Sequence, residues 1–536
     1  MTAPDAAEPV YIAVGDRQLR AWRGGRGPDL VVLPGLTLGA AATAERVLNA
    51  TAGWSVTVLE LPGLGGSRSA AAASLDEAAD YLAAACRELG LDSFVLAAFD
   101  LASPLADRLV RRLATKPLAD LRIGADRARA WKRRGFAPPE LTPRDDGAHL
   151  IALWAHLRAA HLVDPADAQL PAFAGEPLPS PDELHSTLTA AALDPESFQR
   201  LWSLALADVD ETASAGAQDV AVLDDLADRL RRLTPPAANV TPRHSRPSSA
   251  TGRIWNDYVD LPAGRLHVRR AGAEGRPLLL FPSGGGSAET FAPVIERLAR
   301  THRVVAVDYF GNGESDKLER DVTVEMLADD AKALADALGF EHLDLWGSHT
   351  GALIAMEFAV LNPERVGRAV LEGPVFISAD FQADLLENYF PPLKPDPWGL
   401  HLLRFWNWRR DLFLYWPWYK VDYAAARHLG IPEAGDMHRF VMGILQSGPT
   451  YSQAYRSAYI YRTSERIGRL ACPALVCAGP NDMLVDGLAH AKRLGGENIS
   501  VAVTPTTAWW PAQKPVEVEA TLRAYEEFFA AAPAGR

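Results

Sequence analysis

The sequence predicts an α/β protein of two tandem units, each a mostly parallel sheet with a helical insertion. Three observations lead there. Short apolar strands alternate with longer helical stretches, the pattern of βαβ units. A Pro/Ser/Thr-rich stretch with no hydrophobic period, residues 234–253, reads as an exposed, extended linker. The two sides of that linker carry matching strand–turn segments in the same order, which points to an ancient duplication or a fusion of two related subunits. At 536 residues the chain is also too long for one core, since domains usually run about 100–200 residues. The expected units are 1–233, with a cap at about 126–209, and 254–536, with a cap at about 376–465.

The elements match in order. Val31-Val-Leu-Pro34-Gly35 corresponds to Leu279-Leu-Phe-Pro282-Ser283 as a buried strand and its turn. The strand ending at Glu60, followed by Gly63, Gly65 and Ser67, corresponds to the one ending at Asp308, followed by Gly311, Gly313 and Ser315. Leu89-Gly90 leads into Phe94–Asp100 as Leu338-Gly339 leads into Leu343–His349. In the insertions, Gly147, His149, Trp154 and Pro165 match Gly399, His401, Trp406 and Pro417 at one constant spacing. After its cap the first unit offers only one clear helix, near Val220–Leu233. It has no evident counterpart of the strands Ala474–Ala478 and Ile499–Val503, so its sheet is expected to lack its last strands.

Composition narrows the partners. A net charge of −13 argues against nucleic acid or an anionic membrane. There is no apolar run long enough to span a bilayer, and the acidic start Met1–Glu8 does not resemble a signal peptide, so a cytoplasmic location is expected. Cys86, Cys472 and Cys477 are too sparse for a disulfide framework or a zinc motif and read as small buried hydrophobes. No dinucleotide fingerprint, Walker loop or metal-ligand spacing is present, so no cofactor is expected. The expected partners are a small-molecule substrate and, as a homo- or hetero-oligomer, a related subunit.

Leu343-Asp-Leu-Trp-Gly347-Ser-His349-Thr-Gly351 resembles the strand–elbow–helix of the α/β-hydrolase superfamily, whose pattern is Gly-x-Ser-x-Gly. Gly347 and Gly351 keep their places, while His349 stands at the nucleophile position and Ser348 lies one residue early. The resemblance implies an oxyanion hole from the backbone N–H groups of Gly284 and Thr350, an acid at Asp482 after Gly479-Pro-Asn, and Trp509 where the family has its histidine. An acyl-enzyme mechanism on serine is disfavoured, because no serine sits beside a base.

The resemblance therefore implies cleavage of an ester, ether, amide or carbon–halogen bond. His349, oriented by Asp482 directly or through one water, would be the nucleophile or the base that activates water. Glu372 is a second candidate carboxylate, and Asp100 occupies the nucleophile position of the first unit without flanking glycines or an acid–histidine pair. The tryptophan- and tyrosine-rich cap suits a small apolar or aromatic ligand, with Trp509, His401, Trp406 and Tyr415 as binding candidates. Three alternatives stay open: an inactive ligand-binding or stabilising subunit, a cofactor-free lyase or cyclase, and packing roles for His401 and the cap aromatics.

Overall fold

The computed structural model describes residues 6–167, 169, 171–172, 178–210, 217–220, 223–233, 253–318 and 320–531. The expected linker falls outside the described residues, apart from Arg253. The chain divides into two compact units, one of residues 1–247 with 395–403, the other of residues 248–394 with 404–536.

The first unit has seven strands: β1 (Glu8–Val14), β2 (Arg17–Gly24), β3 (Asp29–Leu33), β4 (Ser55–Leu59), β5 (Phe94–Phe99), β6 (Ala119–Ile123) and β7 (Gln218–Val220). They lie in the order β1-β2-β4-β3-β5-β6-β7. The second unit has eight: β8 (Trp255–Leu261), β9 (Gly264–Ala271), β10 (Arg276–Phe281), β11 (His302–Asp308), β12 (Leu343–Ser348), β13 (Val366–Glu372), β14 (Ala474–Ala478) and β15 (Ile499–Val503). From its other edge that sheet reads β8-β9-β11-β10-β12-β13-β14-β15, the same order with one strand more. In both sheets the first strands pair antiparallel and the rest parallel. Consecutive residues of β3 and β10 are buried, as expected for strands covered on both faces.

One expectation needs correcting. The first sheet does have a strand after its insertion: β7 pairs parallel to β6 over Leu121↔Gln218 to Ile123↔Val220. Three residues are too few to register as a periodic pattern. Among the described residues only a counterpart of β15 is missing.

Both insertions are helical and lie between corresponding strands. Helices Ala125–Arg134, Ala148–Leu162, Pro181–Ala192 and Pro195–Ala207 separate β6 from β7, while Ala379–Asn388, Leu400–Leu414, Ala434–Leu445 and Ser452–Ile460 fall between β13 and β14. The matched glycines have a physical reason. Gly147 and Gly399 precede their helices at φ of 72° and 75°, a region that strains other residues. A Cβ on Gly399 would also lie 2.6 Å from the Trp154 ring. Residues 395–403, expected in the second cap, cluster with the first unit, where Trp154 Nε1 donates to the Pro397 carbonyl at 3.3 Å.

A buried carboxylate–arginine pair recurs behind the second turn of each unit. Glu60 accepts from Arg20 Nη2 at 2.7 Å, and Ser67 Oγ donates to the Glu60 carbonyl. Asp308 accepts from Arg269 Nη1 at 3.2 Å and from the Ala288 amide at 2.6 Å, and Ser315 Oγ donates to the Asp308 carbonyl. Burial alone would raise the Asp308 pKa, but Arg269 and His267 outweigh it and hold the carboxyl well below the usual range.

Candidate functional site

The elbow comes directly from the sequence. β12 ends at Ser348, the helix Thr350–Leu361 begins at Thr350, and His349 between them has φ 49° and ψ −111°. A non-glycine residue in this region costs about 1–3 kcal/mol and persists only where its surroundings over-determine it. Here the His349 amide donates to the Glu372 carbonyl of β13 at 2.8 Å. Gly347 and Gly351 permit the close turn: a Cβ on Gly347 would lie 2.2 Å from the Gly351 carbonyl oxygen, and one on Gly351 would lie 2.1 Å from that of Phe281.

His349 Nε2 and Asp482 Oδ2 are 2.9 Å apart, a direct contact with no gap for the bridging water that the sequence left open. Asp482 Oδ1 accepts from the Leu484 amide at 2.9 Å, and Thr507 Oγ1 lies 3.3 Å from Oδ2. His349 is 7% exposed and Asp482 4%. Burial disfavours the imidazolium, yet the charge and hydrogen bond of Asp482 outweigh it and raise the His349 pKa above its ordinary value. Burial also pushes Asp482 upward, and His349, together with the Leu484 amide and Arg427, more than compensates, leaving the carboxyl below its ordinary range. With Nε2 engaged, Nδ1 is the nitrogen with no hydrogen-bond partner among the described residues.

Glu372 stands apart from this pair. It is fully buried, its Oε2 accepts from Trp509 Nε1 at 2.7 Å and its Oε1 from Tyr525 Oη at 2.6 Å. Burial, which outweighs those two donors, raises its pKa. Trp509 also donates to Ser348 Oγ at 3.1 Å, so that hydroxyl is fully buried beneath the elbow. The indole of Trp509 packs edge-on to His349, with ring centroids 5.8 Å apart.

The two expected oxyanion donors lie close together. A Cβ on Gly284 would be 2.6 Å from Thr350 Oγ1 and 2.5 Å from the Tyr455 ring, so only glycine allows this approach. Thr350 opens its helix, leaving its N–H without an intrahelical acceptor. Its Oγ1 is buried without a hydrogen-bond partner.

The other binding candidates go elsewhere. His401 clusters with the first unit, with Nδ1 accepting from the Asp396 amide at 3.3 Å and Nε2 lying 3.1 Å from His185 Nδ1. Its counterpart His149 accepts from the Arg144 amide in the same five-residue loop geometry, so both histidines tie a loop to the helix that follows. Trp406 is fully buried. Tyr415 forms an isolated bridge with Ala426. Asp100 adopts the elbow conformation in the first unit, at φ 44°.

Three further residues, Gly373 beside the dyad, Tyr455 over Gly284 and Arg409 within the cap, were not singled out. Gly373, at φ 58°, leaves space that a Cβ would fill at 2.3 Å from His349 Cδ2. Tyr455 covers Gly284 and bonds Tyr389 through their hydroxyls at 2.9 Å. Arg409 is buried over the Phe440 ring at 3.6 Å, and burial lowers its pKa to about 10. The tyrosines had a signal in the aromatic-rich cap. Gly373 had none, because its role depends on the β12–β13 register that sets Ser348 opposite Glu372.

Among the described residues no helix is long and apolar enough to cross a membrane, and no group of three or more His, Cys, Asp or Glu is placed to hold a metal ion. Residues 276–496 match the family model described as alpha/beta hydrolase fold. The chain is 37% identical over 92 residues to a protein named as carbamate hydrolase RutD from Azorhizobium caulinodans, covering 17% of this chain and 35% of that one. It is 36% identical over 122 residues to 2-hydroxymuconate semialdehyde hydrolase of a Pseudomonas species, covering 21% and 41%. It thus spans well under half the length of these two relatives. A RutD of Caulobacter is 26% identical over 264 residues, covering 46% of this chain and 88% of that one. Among solved structures, E-2-(acetamidomethylene)succinate hydrolase aligns over 52% of this chain and 100% of its own at 23% identity, with a TM-score of 0.39.

Proposed function

We propose, from the premise that residues 276–496 belong to the α/β-hydrolase fold family, that this protein is a hydrolase-like enzyme with its reaction centre at His349 and Asp482. Asp482 holds the imidazole by Nε2–H, and the Nδ1 lone pair takes a proton from water, which attacks an ester, ether, amide or carbon–halogen bond of a small apolar or aromatic substrate; the imidazolium then returns that proton to the departing alcohol or amine, or to solvent where halide leaves. The N–H groups of Gly284 and Thr350 receive the developing oxyanion where the substrate is a carbonyl compound. In the variant of this reading in which His349 is the nucleophile, Nδ1 attacks the substrate carbon, the alcohol, amine or halide departs, and water then hydrolyses the N-linked intermediate to restore the imidazole.

The observation that carries the proposal is the buried 2.9 Å contact between His349 and Asp482 on a strained elbow. The contact supplies the partner without which a buried polar ring costs free energy. The repeated strand order supports our reading of the two halves as a duplication or fusion.

The test compares wild type with His349→Ala and Ser348→Ala on activated aryl esters and ethers, following phenol release. Release abolished by His349→Ala, retained by Ser348→Ala and accompanied by an unchanged circular dichroism spectrum supports the proposal. Equal release by His349→Ala refutes it. A second reading, an inactive subunit that binds a ligand or stabilises a related chain, is favoured by one observation: Trp509 is committed to Glu372 and Ser348 where the family resemblance expects a histidine. No release by any of the three proteins, with a related chain recovered by pull-down, selects that reading. Substrate conversion without uptake of labelled water selects a lyase or cyclase that uses His349 only as a base.

A further inference from the structure

The cap helix Leu400–Leu414 carries a buried cation that the proposed reaction does not use. Arg409 is 6% exposed. Its guanidinium carbon lies 3.6 Å from the centroid of the Phe440 ring and 5.3 Å from that of Trp408. Among the described residues no oxygen accepts from this group and no carboxylate is paired with it, and its Nε is shut off from solvent without a partner. The three other arginines buried as deeply are treated differently. Arg20 holds Glu60 at 2.7 Å, Arg122 holds Asp107 at 2.8 Å, and Arg269 holds Asp308 at 3.2 Å.

A guanidinium carries donors and no acceptor, and burying its charge unpaired costs free energy. Burial lowers the Arg409 pKa to about 10, so the group keeps its charge at neutral pH. A ring face attracts that charge but supplies no lone pair to its N–H groups. Two runs of contacts join Arg409 to the reaction centre. On one side the ring centroids of Phe440 and Trp510 are 6.3 Å apart, those of Trp510 and Trp509 are 6.0 Å apart, and Trp509 meets His349. On the other, Tyr455 covers Gly284, and its phenol, pushed up by burial, is pulled down by Arg409 and pushed further up by Asp482. Arg427, which also lies in the field of Asp482, donates instead to the carbonyls of Leu412 and Asn481 at 2.7 and 2.6 Å.

An unpaired guanidinium among aromatic rings calls for one negative charge on a planar group. A carboxylate accepts two N–H bonds in one plane and cancels a single charge. The dianion of a phosphate monoester would bring a second charge to a wall of neutral tyrosines, since burial pushes the phenols of Tyr389, Tyr451 and Tyr455 upward. We propose that Arg409 anchors a ligand carboxylate, so that the substrate of the second unit is a monoanionic aromatic or apolar acid with its scissile bond elsewhere in the molecule. This substrate class rests on the reaction read at His349, whereas the anion site by itself does not.

The test is calorimetric titration of the full chain with benzoate, benzyl alcohol and phenyl phosphate, together with phenol release from phenyl acetate and para-acetoxybenzoate. Wild type is expected to bind benzoate at least about tenfold more tightly than benzyl alcohol, a factor that one hydrogen bond to a charged group accounts for, and no less tightly than phenyl phosphate. It should likewise favour para-acetoxybenzoate over phenyl acetate by at least about tenfold in kcat/KM. Arg409→Met removes both preferences. Arg409→Lys keeps the charge but loses the planar fork, so it narrows the preference for benzoate, and it decides the matter if Arg409→Met does not fold. No benzoate binding at millimolar concentration, phenyl phosphate bound more tightly than benzoate, or a preference for benzoate that neither variant alters overturns the proposal. Release from phenyl acetate that His349→Ala stops, with both preferences intact in Arg409→Met, keeps the reaction and overturns the anion site. Benzoate binding lost in Arg409→Met, with no release from either ester, keeps the anion site and overturns the reaction together with the substrate class.

Discussion

Gly373→Ala tests the dyad without altering either of its members. The added Cβ would sit 2.3 Å from His349 Cδ2, 2.6 Å from Nε2 and 3.3 Å from Asp482 Oδ2. Carbon atoms pack at about 3.5–4.0 Å, so the imidazole must retreat by more than about 1 Å. Its 2.9 Å bond to Asp482 does not survive such a move, because hydrogen bonds of this type end near ~3.2 Å. A misplacement of ~1 Å in a catalytic group costs about 10²-fold in rate. Alanine at φ 58° adds about 1–2 kcal/mol of backbone strain, which lowers Tm by about 2–8 °C. Gly339→Ala isolates that second effect: its φ is 69°, and a Cβ there meets nothing within 4 Å. Kinetics of aryl ester hydrolysis and thermal melts on both variants separate the contributions. The expected result is a comparable loss of Tm in the two, with a loss of about 10²-fold or more in kcat/KM only for Gly373→Ala. Equal activity in the two variants refutes the assignment of His349 and Asp482 as the reaction centre.

Asp482→Asn removes the charge that raises the His349 pKa. The wild-type rate should rise with pH through an inflection above about 6.5, as the imidazole loses its proton, and the variant should invert this shift and move the inflection down. A pH profile of kcat/KM checks both, and an inflection that moves up contradicts the linkage. Trp509→Phe deletes the donor to Glu372 Oε2 in a fully buried site. It should cost about 1–3 kcal/mol in chemical denaturation while leaving the rate per folded molecule nearly unchanged. A selective loss of rate would make Trp509 part of the reaction. Asp308 titrates below its unfolded value of about 3.9, so its stabilisation is complete above that pH and is lost as pH falls through the folded pKa. Asp308→Asn should therefore lower stability at neutral pH by about 3–5 kcal/mol and flatten the acid dependence below pH ~4, as followed by denaturation at several pH values. An unchanged acid slope contradicts this assignment.

What the sequence disclosed follows from what is local. The elbow, the turn after β14 and the succession of strands along the chain each rest on contiguous residues, and the structure has these elements in that succession. β7 escaped because three residues carry no period. The cap aromatics left two readings open because composition does not distinguish a ligand wall from packing, and Trp406 and Trp408 are buried in the protein interior. Gly399 and His401 share with Gly147 and His149 a glycine of positive φ and a histidine that accepts from an amide five residues earlier, yet the unit they cluster with was not legible, because it is set by Trp154 and His185, more than two hundred residues away. The surroundings of Arg409 were hidden likewise, since Phe440 and Tyr455 come from two other helices of the cap.

Under the proposed function, the site reads as a relocation of the base that the family resemblance implies. In the resemblance, the histidine follows the last strand and reaches both the acid and an elbow serine. Here the acid turn keeps its place, while the imidazole stands on the elbow and meets Asp482 from there. The vacated position goes to Trp509, whose N–H satisfies Glu372 at the end of β13. Acid and base therefore remain paired, and the group without a replacement is the serine hydroxyl. An imidazole whose Nε2–H is held by a carboxylate has a single lone pair to offer, on Nδ1. Whatever proton it accepts must then come from water or from the substrate itself. This arrangement is consistent with the proposed hydrolysis through an activated water, which would depend on the one geometric relation, between His349 and Asp482, on which Gly373 closes.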